Sequence, residues 1–212
     1  MNSRRFLIAP LVRVVAAVAL ASVIVACSGL GTDIQTAATR GHNCPTSPPA
    51  PLPAGETRIV TIETTLGKIR LKVEGDLAPN AAANFVALAG CGFYDGIGFH
   101  RVVPGFVIQG GDPNGTGGGG PGYKIQDDPV RTPYLRGTLA MARTKAANSA
   151  GSQFFIVVDD AAADRGLAEA NTYAIFGAVT DGMDVVDAIV DAADAEHPSH
   201  PVTMTKVTVS TP

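Results

Sequence analysis

The sequence has no stripe of basic residues, and its charge is low overall. Lysine and arginine together number 16, against 19 aspartates and glutamates, which gives a formal net charge of −3. Residues 1–26 hold three arginines and no acidic residue, so the rest of the chain is more negative than this total. Because nucleic-acid-binding domains carry clustered cationic surface, this balance argues against nucleic acid as a partner.

The sequence also lacks the patterns that hold metals, phosphates or a collagen helix. Its 24 glycines show no three-residue period, which excludes collagen. The glycine-rich stretch at residues 114–122 lacks the Gly-Lys-Ser/Thr ending of a phosphate-binding loop. We interpret it as a flexible loop. The four histidines do not combine with cysteines or acidic residues into a known metal-binding motif, so we expect no metal and no other cofactor.

Long hydrophobic runs are also few, and the longest lies near the start of the chain. Arg4 and Arg5 precede an apolar run at residues 14–26 that only Ser22 interrupts, and this run is short for a membrane-spanning helix. The four residues ending at Cys27 resemble a bacterial lipobox, in which the signal is removed before a cysteine that then receives lipid. We expect a signal peptide at residues 1–26 and an exported protein held at the cell membrane by its lipid alone. An ordinary signal peptide or an uncleaved anchor is the alternative.

Three cysteines are present, and lipidation of Cys27 would leave two thiols in an oxidising compartment. Cys44 lies in the proline-rich stretch at residues 27–57, which we interpret as an extended tether. Cys91 directly follows Gly90, the expected end of a helix. The tether is long enough to reach the folded domain. We therefore predict a disulfide between Cys44 and Cys91, with two unpaired thiols as the alternative.

Residues 58–212 alternate strand-like runs with two helix patterns. The first helix is predicted to begin at Pro79, and the second to cover residues 183–193 with Asp181 as its cap. Residues 161–167 are interpreted as a loop or short turn. Two short helices among many strands favour a closed β-barrel. Strands are predicted at residues 59–62, 69–73, 139–142, 154–158, 173–179 and 202–209, and on both sides of the Pro104-Gly105 turn.

One stretch, FHRVVPGFVIQGGD at residues 99–112, combines groups with the chemistry of a binding site. Alternation predicts Phe106 and Ile108 on one face of a strand, and Val107 and Gln109 on the other. The stretch contains one cation, one amide and several apolar groups, with no obvious nucleophile. Such a set can hold an apolar ligand and polarise one polar atom of it.

The same stretch resembles the core signature of the cyclophilins, the peptidyl-prolyl cis/trans isomerases. Two further blocks agree with that family and follow in its order. The first is GTLAMA at residues 137–142 with GSQFFI at residues 151–156, and the second is YAIFGAV at residues 173–179. Three blocks in order are more specific than one short motif. The resemblance covers residues 58–210 and leaves the earlier part of the chain unexplained.

The resemblance implies a closed eight-stranded antiparallel β-barrel, capped by two α-helices, with a packed interior and a groove on its outside. It implies that Arg101 is catalytic, with Gln109 beside it and Phe106 in the pocket for a proline ring. The other positions that it assigns to the pocket, its rim and the substrate backbone are Val107, Ala142, Arg143, Gln153, Phe155, Leu167 and Tyr173.

Three departures from the family pattern concern the pocket. Val107 stands where many members have methionine, and Arg143 where many have asparagine. The chain has no tryptophan, so the tryptophan often found before the pocket leucine is missing. These changes bear on substrate preference more than on the isomerisation chemistry.

The resemblance implies a peptidyl-prolyl isomerase that assists the folding of exported proteins. Its partners would be proline-containing polypeptides, it would need no cofactor, and we expect a monomer. The alternative is a non-catalytic peptide-binding or chaperone module, tethered to the membrane, that keeps the groove as a clamp. Arg101 and Gln109 are both present, which favours the enzyme.

Overall fold

The computed structural model describes residues 43–212, so the predicted signal peptide and Cys27 lie outside the described residues. No helix in this range combines the length and the hydropathy needed to cross a bilayer. The strands are β1 (Thr57–Thr64), β2 (Gly67–Glu74), β3 (Arg101–Val103), β4 (Val107–Gly110), β5 (Thr138–Met141), β6 (Phe154–Val157), β7 (Ile175–Asp181) and β8 (Met204–Ser210). The helices are α1 (Pro79–Gly90), α2 (Leu167–Ala170) and α3 (Met183–Ala192), and a 3₁₀ turn (Asp160–Arg165) precedes α2.

The eight strands form one antiparallel sheet in the order β3-β4-β6-β5-β7-β2-β1-β8, which confirms the predicted mainly-β fold. Just before the two outermost strands, β3 and β8, an isolated antiparallel bridge joins Gly98 and Thr203. Backbone hydrogen bonds flank this bridge, among them the Phe99 N–H to the Val202 carbonyl at 3.0 Å. The sheet therefore curls until its two edges meet through a short irregular seam, and no ladder joins β3 to β8 in the described part of the chain.

Helices α1 and α3 cover an apolar interior, which we call the inner core. Helix α1 begins at Pro79 and ends at Gly90, as predicted. The ring of Phe85 on this helix lies 5.0–5.2 Å from the rings of Tyr94, Phe154 and Phe176, measured between centroids. The largest fully buried members of the inner core are Tyr94, Phe85, Phe99, Phe154, Phe176, Ile62, Ile69, Leu71, Leu88, Ile108 and Leu139.

A second apolar cluster covers the opposite side of strands β4 to β7, and we call it the outer cluster. Strand β6 shows the division clearly. Phe154 and Ile156 enter the inner core, whereas Phe155 and Val157 belong to the outer cluster. All four are buried, because a strand covered on both faces needs apolar residues at every position. The outer cluster consists of Val107, Tyr134, Ala140, Phe155, Val157, Ala162, Leu167 and Ile175.

The predicted face of Phe106 is wrong. Phe106 lies in the turn before β4, where its N–H donates to the Val103 carbonyl at 3.0 Å. Its side chain packs against the outer cluster, whereas Ile108 lies in the inner core. Strand alternation holds only inside a strand, so it does not extend to a residue of the preceding turn.

The predicted cap of the second helix is also wrong. Asp181 is the last residue of β7, opposite Arg70 of β2. The residue before α3 is Gly182, with φ of 89° and no side-chain cap. A glycine adopts this left-handed conformation without steric cost, so the turn into the helix needs no capping side chain.

The stretch interpreted as a loop or short turn, residues 161–167, is more regular than expected. It forms most of the 3₁₀ turn and the first residue of α2. The Asp159 side chain caps the 3₁₀ turn by accepting a hydrogen bond from the Ala161 N–H at 2.9 Å. Ala162 and Leu167 project from this region into the outer cluster.

The packed region begins before residue 58, the boundary expected from the sequence. Leu52 is 8% exposed, and its N–H donates to the Pro79 carbonyl at 3.0 Å. Cys44 and Cys91 are joined by a disulfide, with their Cα atoms 5.2 Å apart. The later half of the predicted tether therefore lies against the barrel, because apolar contacts and the disulfide hold it there.

Candidate active site

A cavity of about 120 Å³ opens on the outer side of the sheet, beside the outer cluster. An apolar cavity of about 150 Å³ holds a benzene ring, so this one has room for a single small ring. Nine of the ten residues predicted for the site line it. They are Arg101, Phe106, Val107, Gln109, Ala142, Arg143, Phe155, Leu167 and Tyr173.

The floor of the cavity is apolar and comes from three separate elements. Val107 of β4, Phe155 of β6 and Leu167 of α2 are all buried. The Phe155 ring meets the Tyr173 ring edge to face, with centroids 5.5 Å apart. Because the strands and the short helix fix these side chains, the floor is formed before any ligand arrives.

Tyr134, which sequence reasoning missed, holds the rim at Tyr173. Its hydroxyl donates to the Tyr173 carbonyl at 2.9 Å and accepts from the Tyr173 N–H at 3.2 Å. Burial raises the pKa of Tyr134 to about 12, so the hydroxyl keeps its proton at neutral pH. The two residues are 39 positions apart, and no local pattern in the sequence indicates that they meet.

The cationic edge of the cavity is Arg101, the first residue of β3. It is paired across the ladder with Gln109 of β4. Its guanidinium carbon lies 5.9 Å from the centroid of the Phe106 ring, within the range of a cation–π contact. A guanidinium presents its N–H donors in a fixed planar fork. The cavity therefore places a permanent hydrogen-bond donor beside an apolar floor.

Two amide side chains continue this polar edge. Gln109 Nε2 donates to Gln153 Oε1 at 2.9 Å. Gln153 Nε2 in turn donates to the carbonyls of Gly117 and Gly119, at 2.9 and 3.0 Å. Gln153, the tenth predicted residue, thus lies next to the cavity and joins it to the glycine-rich loop.

Asp112 gives that loop its shape. Its buried carboxylate accepts hydrogen bonds from the backbone N–H groups of Asn114, at 2.8 Å, and Gly117. Burial opposes ionisation of Asp112, but the backbone donors of Asn114, Gly119 and Gly117, together with the nearby His100, outweigh it and hold the pKa of Asp112 below its usual value. The loop is therefore anchored at its base, which fixes the two carbonyls that Gln153 contacts.

A second cavity of about 140 Å³ adjoins the first and shares Gln109, Ala142 and Arg143 with it. Arg143 lies at the boundary, where its Nη1 is 2.9 Å from Asp127 Oδ2. The other residues that line the second cavity are mainly small or polar: Gly117, Gly118, Gly119, Lys124, Thr144, Ser149, Gly151, Ser152 and Gln153. The two cavities together form a groove longer than one ring, with an apolar end and a polar end.

Comparison with known proteins shows which family the chain resembles. A family model described as cyclophilin type peptidyl-prolyl cis-trans isomerase/CLD matches residues 59–209. A peptidyl-prolyl cis-trans isomerase of Synechococcus elongatus is 57% identical over 95 residues, covering 45% of this chain and 65% of that protein. A probable peptidyl-prolyl cis-trans isomerase A of Mycobacterium leprae is 40% identical over 174 residues, covering 71% of this chain and 91% of that protein.

A solved structure agrees in fold over the same region. The crystal structure of a Cryptosporidium parvum cyclophilin type peptidyl-prolyl cis-trans isomerase matches with a TM-score of 0.66 and 32% sequence identity. The match covers 74% of this chain and 99% of that one. The resemblance read from three sequence blocks is confirmed, and the chain belongs to the cyclophilin-type peptidyl-prolyl cis-trans isomerases.

Proposed function

We propose that the protein is a peptidyl-prolyl cis-trans isomerase that accelerates Xaa-Pro isomerisation in the folding of exported proteins. The observation that carries the reaction is the position of Arg101, at the edge of an apolar cavity with room for one small ring. The polar end of the groove gives an extended polypeptide room on one side of that ring.

The chemistry follows from the amide bond. Rotation about a peptide bond costs about 18–20 kcal/mol, because twisting removes the resonance between nitrogen and carbonyl. At an Xaa-Pro bond the cis and trans forms differ by only about 0.5–1 kcal/mol. A catalyst therefore needs only to lower the barrier to rotation, and no covalent bond has to form or break.

Arg101 supplies a donor that suits the twisted state. When the amide twists, the lone pair of the prolyl nitrogen leaves resonance and becomes a hydrogen-bond acceptor. A guanidinium N–H aimed at this nitrogen interacts more strongly with the twisted amide than with the planar one. Such a difference in binding between transition state and ground state is what accelerates a reaction.

The apolar floor holds the ring while the rest of the bond turns. Phe155, Val107 and Leu167 enclose the prolyl ring, so the carbonyl of the preceding residue is the part that moves. The amides of Gln109 and Gln153 lie beside this position and offer polar partners to the substrate backbone.

Replacement of Arg101 by alanine tests the isomerase proposal. Arg101→Ala should keep the fold and lose at least about a hundredfold in kcat/KM, the scale of removing one donor to a transition state. The assay is isomerisation of a short Xaa-Pro peptide, and Arg70→Ala, which removes an exposed arginine of β2, is the control. A folded Arg101→Ala protein with wild-type activity would contradict the mechanism. Peptide binding without acceleration by the wild type would favour a binding module instead.

The proposed site of action rests on the first part of the chain. The lipobox-like residues ending at Cys27 favour export and a lipid anchor, and a disulfide suits an oxidising compartment. Cys27→Ala should release or misprocess the protein. Mass spectrometry of the mature N-terminus decides this, because an unlipidated residue other than Cys27 at that terminus rules the lipoprotein out.

A further inference from the structure

Arg101 contacts a side chain from a distant part of the sequence, Glu196, which has no part in the proposed reaction. Glu196 follows α3, in a segment that runs beside β3. The Val102 N–H donates to the Glu196 carbonyl at 2.8 Å. His197 Nδ1 lies 3.1 Å from the carbonyl oxygen of His100. These two contacts hold the segment against Val102 and His100, the residues on either side of Arg101.

The side chain of Glu196 then reaches the guanidinium. Arg101 Nε donates to Glu196 Oε1 at 2.7 Å, and the two side chains are 30% and 55% exposed, respectively. A guanidinium has five N–H donors, of which Nε carries one. Within residues 43–212 the Nη groups of Arg101 have no protein hydrogen bond. The carboxylate thus uses the one donor nearest the stem and leaves the other four for a ligand.

We propose that Glu196 is a positioning residue for Arg101, an inference that rests on the proposed isomerase function. A free arginine side chain samples many rotamers, and fixing it costs rotamer entropy. A hydrogen bond at Nε restricts both the stem and the plane of the guanidinium. Glu196 makes that restriction before the substrate binds, so the donor is already aimed when the amide twists.

Glu196 could act by orienting Arg101 or by its negative charge, and two substitutions distinguish these effects. Glu196→Gln removes the charge but keeps an oxygen that can accept from Arg101 Nε, whereas Glu196→Ala removes both. An exposed ion pair contributes about 1 kcal/mol or less, which corresponds to about fivefold or less in rate. We expect Glu196→Ala to slow isomerisation of the bound peptide by up to about fivefold, and Glu196→Gln to keep most of the wild-type rate.

The measurement must separate binding from turnover. Nuclear magnetic resonance exchange spectroscopy on an Xaa-Pro peptide gives the rate of cis–trans interconversion on the protein, and titration gives the dissociation constant. A positioning residue should change the rate and leave the dissociation constant within about twofold. A general loss of structure would change both, and a thermal melt of each variant checks the fold.

Two further variants make the test specific. Asp187→Ala removes a comparable ion pair, in which Asp187 Oδ2 lies 2.7 Å from Arg136 Nη2 with side chains 49% and 38% exposed, respectively. It should leave the interconversion rate unchanged. The Arg101→Ala/Glu196→Ala double variant should be no slower than Arg101→Ala alone, because Glu196 acts only through Arg101.

The outcomes separate this inference from the proposed function. A wild type that does not accelerate the peptide, or an Arg101→Ala variant with full activity, overturns the isomerase mechanism and the role of Glu196 together. If both behave as proposed and Glu196→Ala matches Asp187→Ala, the positioning role alone is overturned. A Glu196→Ala loss that persists without Arg101, or that Glu196→Gln shows equally, also overturns it.

Discussion

The inner core and the outer cluster are built from the same strands but are closed to different degrees. Phe154 and Phe155 are neighbours in β6, and both are buried. The ring of Phe154 contacts the rings of Phe85, Tyr94 and Phe99, whereas Phe155 has its aromatic contact with Tyr173 at the rim of the cavity. Alternate residues of one strand thus serve two purposes.

The difference follows from what covers each face. The inner core is closed by α1 and α3, of 12 and 10 residues. The outer cluster is covered by a 3₁₀ turn and by α2, which has four residues. The shorter cover leaves apolar surface open, and the cavity lies there. Apolar area that the protein does not bury itself is available to stabilise a bound ligand.

The largest effect on stability should come from the inner side of β6. Phe154→Ala removes a fully buried ring packed among three others. We expect a loss of about 3–5 kcal/mol in the free energy of unfolding, from lost transfer energy and the cavity left behind. Urea unfolding followed by circular dichroism measures it.

The matched change on the outer side should act mainly on function. Phe155→Ala enlarges a cavity that already opens to solvent, so it should destabilise less than Phe154→Ala. It removes a wall of the ring pocket, and we expect kcat/KM to fall about tenfold, equivalent to about 1.4 kcal/mol of lost contact. A Phe155→Ala protein that unfolds as readily as Phe154→Ala but keeps full activity would show that the two faces of β6 do not differ in this way.

The disulfide should affect stability without affecting the groove. Cys44 and Cys91 join the start of the described chain to the end of α1, and neither residue lines the two cavities of the groove. The Cys44→Ala/Cys91→Ala variant should lose about 2–4 kcal/mol in the free energy of unfolding, with kcat/KM unchanged. Thiol labelling of the exported protein, denatured without reductant, checks that the bond forms: two labelled cysteines would contradict it.

The smallest predicted effect is a pH dependence from His100, which lies in the chain between Phe99 of the inner core and Arg101 of the groove. His100 is 5% exposed, and neither ring nitrogen has a hydrogen-bond partner among the described residues. Burial lowers the pKa of His100 below 6.5, with His197 and Arg101 adding to the shift and Asp112 opposing it. The unfolded chain therefore binds a proton at a higher pH than the folded one, so stability should fall as pH drops below about 6.5.

The measurement for this prediction is urea unfolding at pH 7 and pH 5.5. The wild type should be less stable at the lower pH, and His100→Gln should lose less between the two. Asp112 has its pKa below 3.8, so its contribution stays constant over this range. Equal losses in both proteins would remove His100 as the cause.

Much of the fold could be predicted from the sequence, because its signals are local. Helix α1 begins at Pro79 and ends at Gly90, two residues that mark helix ends in the sequence. The bounds of each predicted strand lie within two residues of those of an observed strand. The predicted site residues also come together, since their positions follow from motif blocks that keep a fixed order. Local periodicity was enough for the helix and the strands, whereas the site residues came from the resemblance to the cyclophilins.

The remaining features depend on contacts between distant parts of the chain. Glu196 meets Arg101 across 95 positions, and Tyr134 meets Tyr173 across 39. Such pairs depend on how a loop lies against a strand, which no period in the sequence encodes. Phe106 was misplaced for a related reason, because the turn before β4 rotates it away from the face that alternation assigns.

Methyl nuclear magnetic resonance tests directly whether a prolyl ring binds the outer side of the sheet. The purified protein, labelled at isoleucine, leucine and valine methyl groups, is titrated with a short Xaa-Pro peptide while cis–trans exchange of the peptide is followed. The methyl signals of Val107 and Leu167, which line the cavity, should shift or broaden, whereas those of Ile108 and Ile156 in the inner core should stay in place. Accelerated exchange with Val107 and Leu167 unmoved, or larger shifts at Ile108 and Ile156, would contradict the account.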